Sequence, residues 1–122
     1  MQEVSIQNQS HPLTQPIQAG FCVSFLTRLR GFMFRSGVGI DRGLVLVQST
    51  ENRMDASIHM FFVPFDLGVV WVNQKNTVVD ACLAKAWRPF YMPSHPAKYI
   101  LEIHPDRLAE FPVGDQVTFH HA

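Results

Sequence analysis

Charge is what this sequence has least of. Only 16% of its 122 residues are charged, and the ten acidic and ten basic side chains cancel to a formal net charge of 0. Nothing global therefore draws the chain to nucleic acid or to an anionic membrane surface. Few surface ions also leave room for an apolar patch or a partner that covers one. Cysteine is nearly absent. Cys22 and Cys82 lie far apart and form no CxxC, which excludes a zinc framework. They read as two buried free thiols acting as small hydrophobes, with a disulfide between them as the alternative. No apolar run approaches the roughly 20 residues of a membrane span. The N-terminal stretch "MQEVSIQNQSHPLTQP" has no apolar core of a signal peptide, so the expected location is the cytoplasm, where thiols stay reduced. There is no internal repeat and no linker between two apolar halves. The expected organisation is a flexible N-terminal segment over residues 1–12, rich in Gln, Asn and Ser, followed by one β-barrel domain over 13–122.

What is present is a series of short apolar runs bounded by turn residues. "GFCVSF" (20–25) ends a first strand. Ser24 is placed to cap a short helix in which Phe25, Leu29, Phe32 and Met33 share a face, until Gly31 and "SGVG" (36–39) end it. "GLVLVQ" (43–48) and "DLGVVWVN" (66–73) are continuous apolar runs and read as buried strands. "QKN" (74–76) turns the second of these back into "TVVDACLAK" (77–85) as a hairpin. "AKYILEIH" (97–104) alternates, with Tyr99, Leu101 and Ile103 on one face and Lys98, Ile100 and Glu102 on the other. "PDRLAEF" (105–111) offers one or two helical turns beginning at Pro105, and "GDQVTFH" (114–120) is a closing strand. About six short strands without helical crossovers predict a mainly β fold: a small antiparallel β-barrel or jelly-roll-like sandwich with one or two short helices.

Several motifs in order carry a family resemblance. They are "RLRGFMFR", "RGLVLV", "SIHMFFVPFDLGVVWVN", "WRPF", "YILEI" and "VGDQVTF", spanning roughly residues 20 to 119. The chain resembles the bacterial and archaeal family called domain of unknown function 192. The matching positions are Arg28, Gly31 and Met33; Ser57, Ile58, His59, Phe61, Phe62 and Phe65; Trp87, Arg88 and Pro89; and Glu102, Gly114 and Asp115. The resemblance implies a small, mostly antiparallel β-barrel or jelly-roll-like fold with a short helix near its start, and no established activity. The chain departs from the pattern after the aromatic block. Where the family has Pro-Ile-Asp, this sequence has Asp66-Leu67-Gly68, so the usual carboxylate position is a glycine.

His59 and Asp66 bracket that block. A histidine oriented by a carboxylate is a general base, but no nucleophile elbow accompanies it. The reading from the residues is a rim histidine that bonds to backbone or to Glu102, so no catalytic residue is assigned. The six histidines have irregular spacing, with no HxH or HExxH, and no metal site or cofactor is expected. Arg28 and Arg30, with Arg35 and the interleaved Phe32 and Phe34, either hold an anion or form a solvated helix face. "WRPFY" (87–91) is irregular, and is either a recognition surface or a lid over the barrel end. The expected binding residues are His59, Arg28, Arg30, Trp87, Arg88 and Glu102. The expected function is a non-enzymatic binder of a small ligand or partner at the barrel rim, as a monomer or weak dimer. The alternatives are an interaction module of an envelope-associated assembly and, third, a small hydrolase using His59.

Overall fold

A computed structural model describes residues 2–33 and 35–121, apart from the side chains of Phe25, Leu26 and Leu29. The expected helix contacts of Phe25 and Leu29, and the position of Phe34, lie outside the described residues. Seven strands among those described form one sheet: β1 (Gln2–Asn8), β2 (Ile17–Cys22), β3 (Arg42–Asn52), β4 (Leu67–Val72), β5 (Val78–Ala84), β6 (Ala97–Ile103) and β7 (Val117–His121). Their order across the sheet is β5-β4-β6-β3-β2-β1-β7. A short helix, α1 (Phe25–Arg30), precedes β3, and a 3₁₀ helix, η1 (Pro105–Glu110), precedes β7. Ser24 caps α1 as expected, its hydroxyl accepting from the Thr27 amide. The β4–β5 hairpin also forms as expected. Asn73 Oδ1 accepts from the amides of Lys75 and Thr77 across its turn, and Asn76 takes the left-handed conformation that asparagine tolerates.

Two expectations are corrected. Residues 2–8 are not a loose tail but a strand, β1, bonded to β2 on one side and β7 on the other. Val4 and Ile6 are buried on one face, and at its end Asn8 Nδ2 donates to the Glu110 carbonyl and to Asp115. Second, the sheet is mixed. β2 and β3 run parallel, while every other pairing is antiparallel. A parallel neighbour needs a long connection. Residues 23–41, with α1 inside them, supply a helical crossover that the sequence pattern did not suggest. The expected barrel is approached without being closed. The edge strands β5 and β7 meet at one corner, through an isolated Thr77–Gln116 bridge and backbone bonds that tie Val78 to Gly114 and Asp115.

The curl of the sheet creates two apolar cores. The inner one gathers Val4, Ile6, Ala19, Val45, Val70, Leu101, Ile103 and Val117, with Phe111 just after η1. The outer one lies on the other face of β3, β4 and β6. There Leu44, Leu46, Val69, Trp71 and Ile100 are covered by Ala56, Ile58, Met60 and Val63 from an irregular segment. Strands buried on both faces need apolar residues at every position, which is why "GLVLV" and "GVVWV" are continuous runs rather than alternating ones. Leu46, Val70 and Leu101 are all buried, as the strand reading requires. The cover is pinned by side chains: Trp71 Nε1 donates to the Ala56 carbonyl at 2.7 Å, and Arg53 Nε to the Pro93 carbonyl at 3.0 Å. Cys22 and Cys82 are not joined in a disulfide. No described helix is long and apolar enough to cross a membrane.

Candidate functional site

The outer core is not filled to its edge. Between α1, β3, β6 and the covering segment lies a cavity of about 340 Å³. Its walls mix apolar side chains (Phe32, Met33, Leu46, Ile58, Val63 and Ile100) with Arg28, Arg30, Gln48, Asp55, Ser57, His59 and Glu102.

Glu102 dominates the chemistry. It sits one residue before the end of β6 on the face of Ile100, only 4% exposed, and its Oε1 has no hydrogen-bond partner among the described residues. Burial alone pushes its carboxyl up to about 7. Gly31 lies directly beside it. A Cβ on Gly31 would stand 3.0 Å from Glu102 Oε1, and the glycine's φ of +45° is one that a side chain disfavours. The helix end and the space in front of the carboxyl therefore both depend on this glycine.

The other expected residues divide. Arg28 is half-buried and committed to the fold, its Nη1 donating to the carbonyls of Val23 (3.0 Å) and Val47 (2.9 Å). Arg30 lines the cavity but is exposed, with no ion-pair partner among the described residues. His59 is half-buried at the cavity, and its Nδ1 accepts from the Phe61 amide at 3.2 Å, which leaves Nε2 to carry the proton of the neutral ring. It bonds to backbone, one of the two arrangements expected, and not to Asp66. Asp66 accepts from the Ala86 amide at 2.9 Å and faces Lys85 at 3.5 Å. That amide and that ammonium hold its carboxyl below the ordinary range.

Trp87 and Arg88 do not line the cavity. Trp87 is 53% exposed, and its ring meets Phe62 edge-on at 5.5 Å. Both Trp87 and Phe62 adopt positive φ. Arg88 contributes only backbone, its carbonyl accepting from Met60. The physical reason is the irregular path around the two prolines, which lays Tyr91 against the cover through its bridge to Ile58 while Trp87 and Phe90 point outward. At position 68, where the family pattern carries a carboxylate, a Cβ would stand 3.3 Å from Ile103 and Leu108, and Gly68 does not line the cavity. Gln48 and Asp55 were not expected at a site. Gln48 had a usable signal, as the lone amide ending a fully apolar strand run. The final Gly-Asp pair is structural. Gly114 makes the turn at φ +100°, and the buried Asp115 accepts from Asn8 at 2.8 Å and meets His11 at 2.7 Å.

Fold and cavity together define a small, mainly β protein with a buried acid facing an open pocket. The chain belongs to the family of domain of unknown function 192, described as "Uncharacterized ACR", whose sequence model matches residues 5–119. It is 42% identical over 79 residues to a UPF0127 protein of Thermococcus gammatolerans, covering 65% of this chain and 50% of that one. It is 38% identical over 86 residues to a UPF0127 protein of Pyrococcus furiosus, covering 70% and 71%. The match thus spans about half the length of the Thermococcus relatives. Two crystal structures share the fold. One is a Sinorhizobium meliloti protein described as a candidate transcription regulator (TM-score 0.83, 16% identity, 97% of this chain and 92% of that one). The other is a Novosphingobium aromaticivorans protein of unknown function (TM-score 0.82, 18% identity, 95% and 83%). Identities this low show the fold alone.

Proposed function

We propose that the chain is one domain, starting at β1, that binds a small ligand in the cavity between α1 and β6 without transforming it. The observation that carries this reading is Glu102 Oε1, a carboxylate oxygen shut away without a partner on the wall of a cavity large enough for a small molecule. A buried acceptor left unmade costs about 1–3 kcal/mol, more when it is charged, and an incoming donor recovers that. Residues far apart in sequence that carry the family resemblance (Arg28, Gly31, Met33, Ser57, Ile58, His59 and Glu102) line this one space. Of the expected binding set, His59, Arg28, Arg30 and Glu102 stay in the proposal as wall residues, while Trp87 and Arg88 leave it.

The test is a thermal-shift screen of a metabolite library on the wild type, Glu102→Gln and His59→Gln. Ligands of the cavity raise the melting temperature of the wild type and lose most of that shift in Glu102→Gln. Shifts that survive both substitutions would place binding elsewhere and end this reading.

A second reading, a protein-interaction module, has its own support. Phe61, Phe62 and Trp87 are about half exposed, and Phe62 and Trp87 meet edge-on outside the cavity. Aromatic residues in that setting favour a protein partner.

A further inference from the structure

Taking the cavity as a binding site, the geometry points to its ligand class: we propose a small primary amine, its ammonium set against Glu102 Oε1 and its compact apolar body against Phe32, Met33, Ile58 and Val63. An ionised carboxylate only accepts hydrogen bonds, so what Glu102 lacks is a donor. No described residue provides one. Arg28, on the cavity wall, spends its Nη1 on two backbone carbonyls, and Arg30 lies exposed with no bond to Glu102 Oε1. The missing Cβ of Gly31 keeps a gap open directly beside Oε1. Gln48 and Ser57 stand on the same walls as acceptors for an ammonium's remaining protons.

The choice between ligand classes follows from charge. An alcohol satisfies the orphaned oxygen but leaves a negative charge uncompensated in a poorly solvated place. An ammonium satisfies both, through a charge-assisted bond. A carboxylate or phosphate ligand meets like-charge repulsion from Glu102.

The charged and titratable groups around Glu102 are Arg28 and Arg30 on α1, Asp55 and His59 on the covering segment, and Cys22 on β2. Burial, and then the charge of Glu102, push the Cys22 thiol up to about 11, so it stays neutral near physiological pH. The Glu102 carboxyl, raised to about 7 by burial, titrates within reach. An ammonium favours its ionised form. Binding therefore strengthens as pH rises through that value, and is about tenfold weaker at pH 6 than at pH 8.5, following the fraction of ionised sites.

The test uses matched probes on the full chain: n-butylamine, butan-1-ol, butyrate and glucose, followed through the backbone amide shifts of residues 100–103. At pH 8.5 the amine binds at least about tenfold more tightly than the alcohol. Its affinity falls about tenfold at pH 6, unchanged in profile in His59→Gln, and is lost in Glu102→Gln. The amine also moves the titration midpoint of the Glu102 carboxyl carbon downward in the wild type, a readout that needs no variant to fold. Alcohol, butyrate or glucose binding as tightly as the amine, or amine binding indifferent to Glu102→Gln, overturns the ligand class and leaves the cavity reading standing. Failure of all four probes to perturb residues 100–103 overturns both.

Discussion

Two of the buried ionisable side chains, Arg107 and Glu102, have opposite surroundings. Arg107, on η1 at the end of the inner core, is 2% exposed and fully engaged. Its guanidinium pairs with Glu110 and donates to the carbonyls of Ile40 (2.7 Å) and Gln15 (2.6 Å). Glu102, on the outer face, is 4% exposed and its Oε1 has no hydrogen-bond partner among the described residues. One buried charge clamps three chain segments together, and the other faces a space. The difference lies in what covers each face. At the inner core, η1 itself and the loop residues Gln15 and Ile40, just ahead of β2 and β3, bring partners to Arg107. The outer core is covered by irregular segments and a six-residue helix that stop short of Glu102. A buried charge with all its bonds made is architecture. One with a bond missing beside a cavity is the mark of a site.

The sharpest way to break this comparison is to neutralise each charge. Arg107→Met removes the clamp and strands Glu110 and two carbonyls. It should cost about 3–5 kcal/mol in denaturant unfolding. A loss under about 1 kcal/mol would mean that the three segments hold without it.

Glu102→Gln should do the reverse, and only where the acid is ionised. Burial raises its carboxyl from the ordinary 4.5 to about 7 in the folded protein, so the folded state holds the proton more tightly than the unfolded chain. The stability tied to this group is therefore full below about pH 4.5 and drains away until about pH 7. Relative to wild type, Glu102→Gln should be nearly neutral at pH 4.5 and more stable by on the order of 2–3 kcal/mol at pH 8. Paired melts at the two pH values check this, and an equal difference at both would show that Glu102 is not desolvated.

The Arg107 end should respond with the opposite sign. The Asp115 carboxyl is held below its ordinary range by Asn8 and then His11. Glu110 is pushed up by burial, but the bonds from Arg107 and Thr14 outweigh that and hold it low as well. The stability they confer is present above the ordinary carboxylate range and is lost as pH falls toward their folded values.

Gly31→Ala tests the space in front of the acid. It places a methyl 3.0 Å from Glu102 Oε1 on a backbone at φ +45°, and should cost about 1–3 kcal/mol. Combining it with Glu102→Ala should recover part of that loss, since the clash is gone while the φ penalty remains.

The smallest effect is expected at His59. Its one structural bond is from the neighbouring Phe61 amide, so His59→Gln should change stability by about 1 kcal/mol or less. A larger loss would make it a core residue rather than a wall of the cavity.

Much of the fold was legible because its signals are local. The runs 43–47 and 67–72 are apolar without interruption and became the doubly covered parts of strands β3 and β4. Ser24 and Pro105 marked where α1 and η1 begin, and the alternation over 97–104 assigned Glu102 to the face of Ile100. β1 was not legible. Val4 and Ile6 are the only buried apolar residues in a stretch of Gln, Ser and Glu, too weak a pattern to outweigh the polar composition. What makes it a strand is pairing with β2 and β7, one of them more than 100 residues away along the chain. The parallel β2–β3 pair was hidden for a related reason: a six-residue helix is too small a crossover signal to suggest one.

For the site, the sequence by itself determined that Arg28, Gly31, His59 and Glu102 occur in a family-like order. It also determined that Glu102 lies opposite Leu101 in its strand. Only the tertiary structure decided that this second face is covered rather than wet, that Asp66 turns away to Lys85 and the Ala86 amide, and that Trp87 and Arg88 stand outside. It alone decided that no donor reaches Glu102 Oε1. The physical reason is that periodicity fixes which way a side chain points, whereas desolvation and an unmade hydrogen bond depend on every group that arrives from elsewhere in the chain.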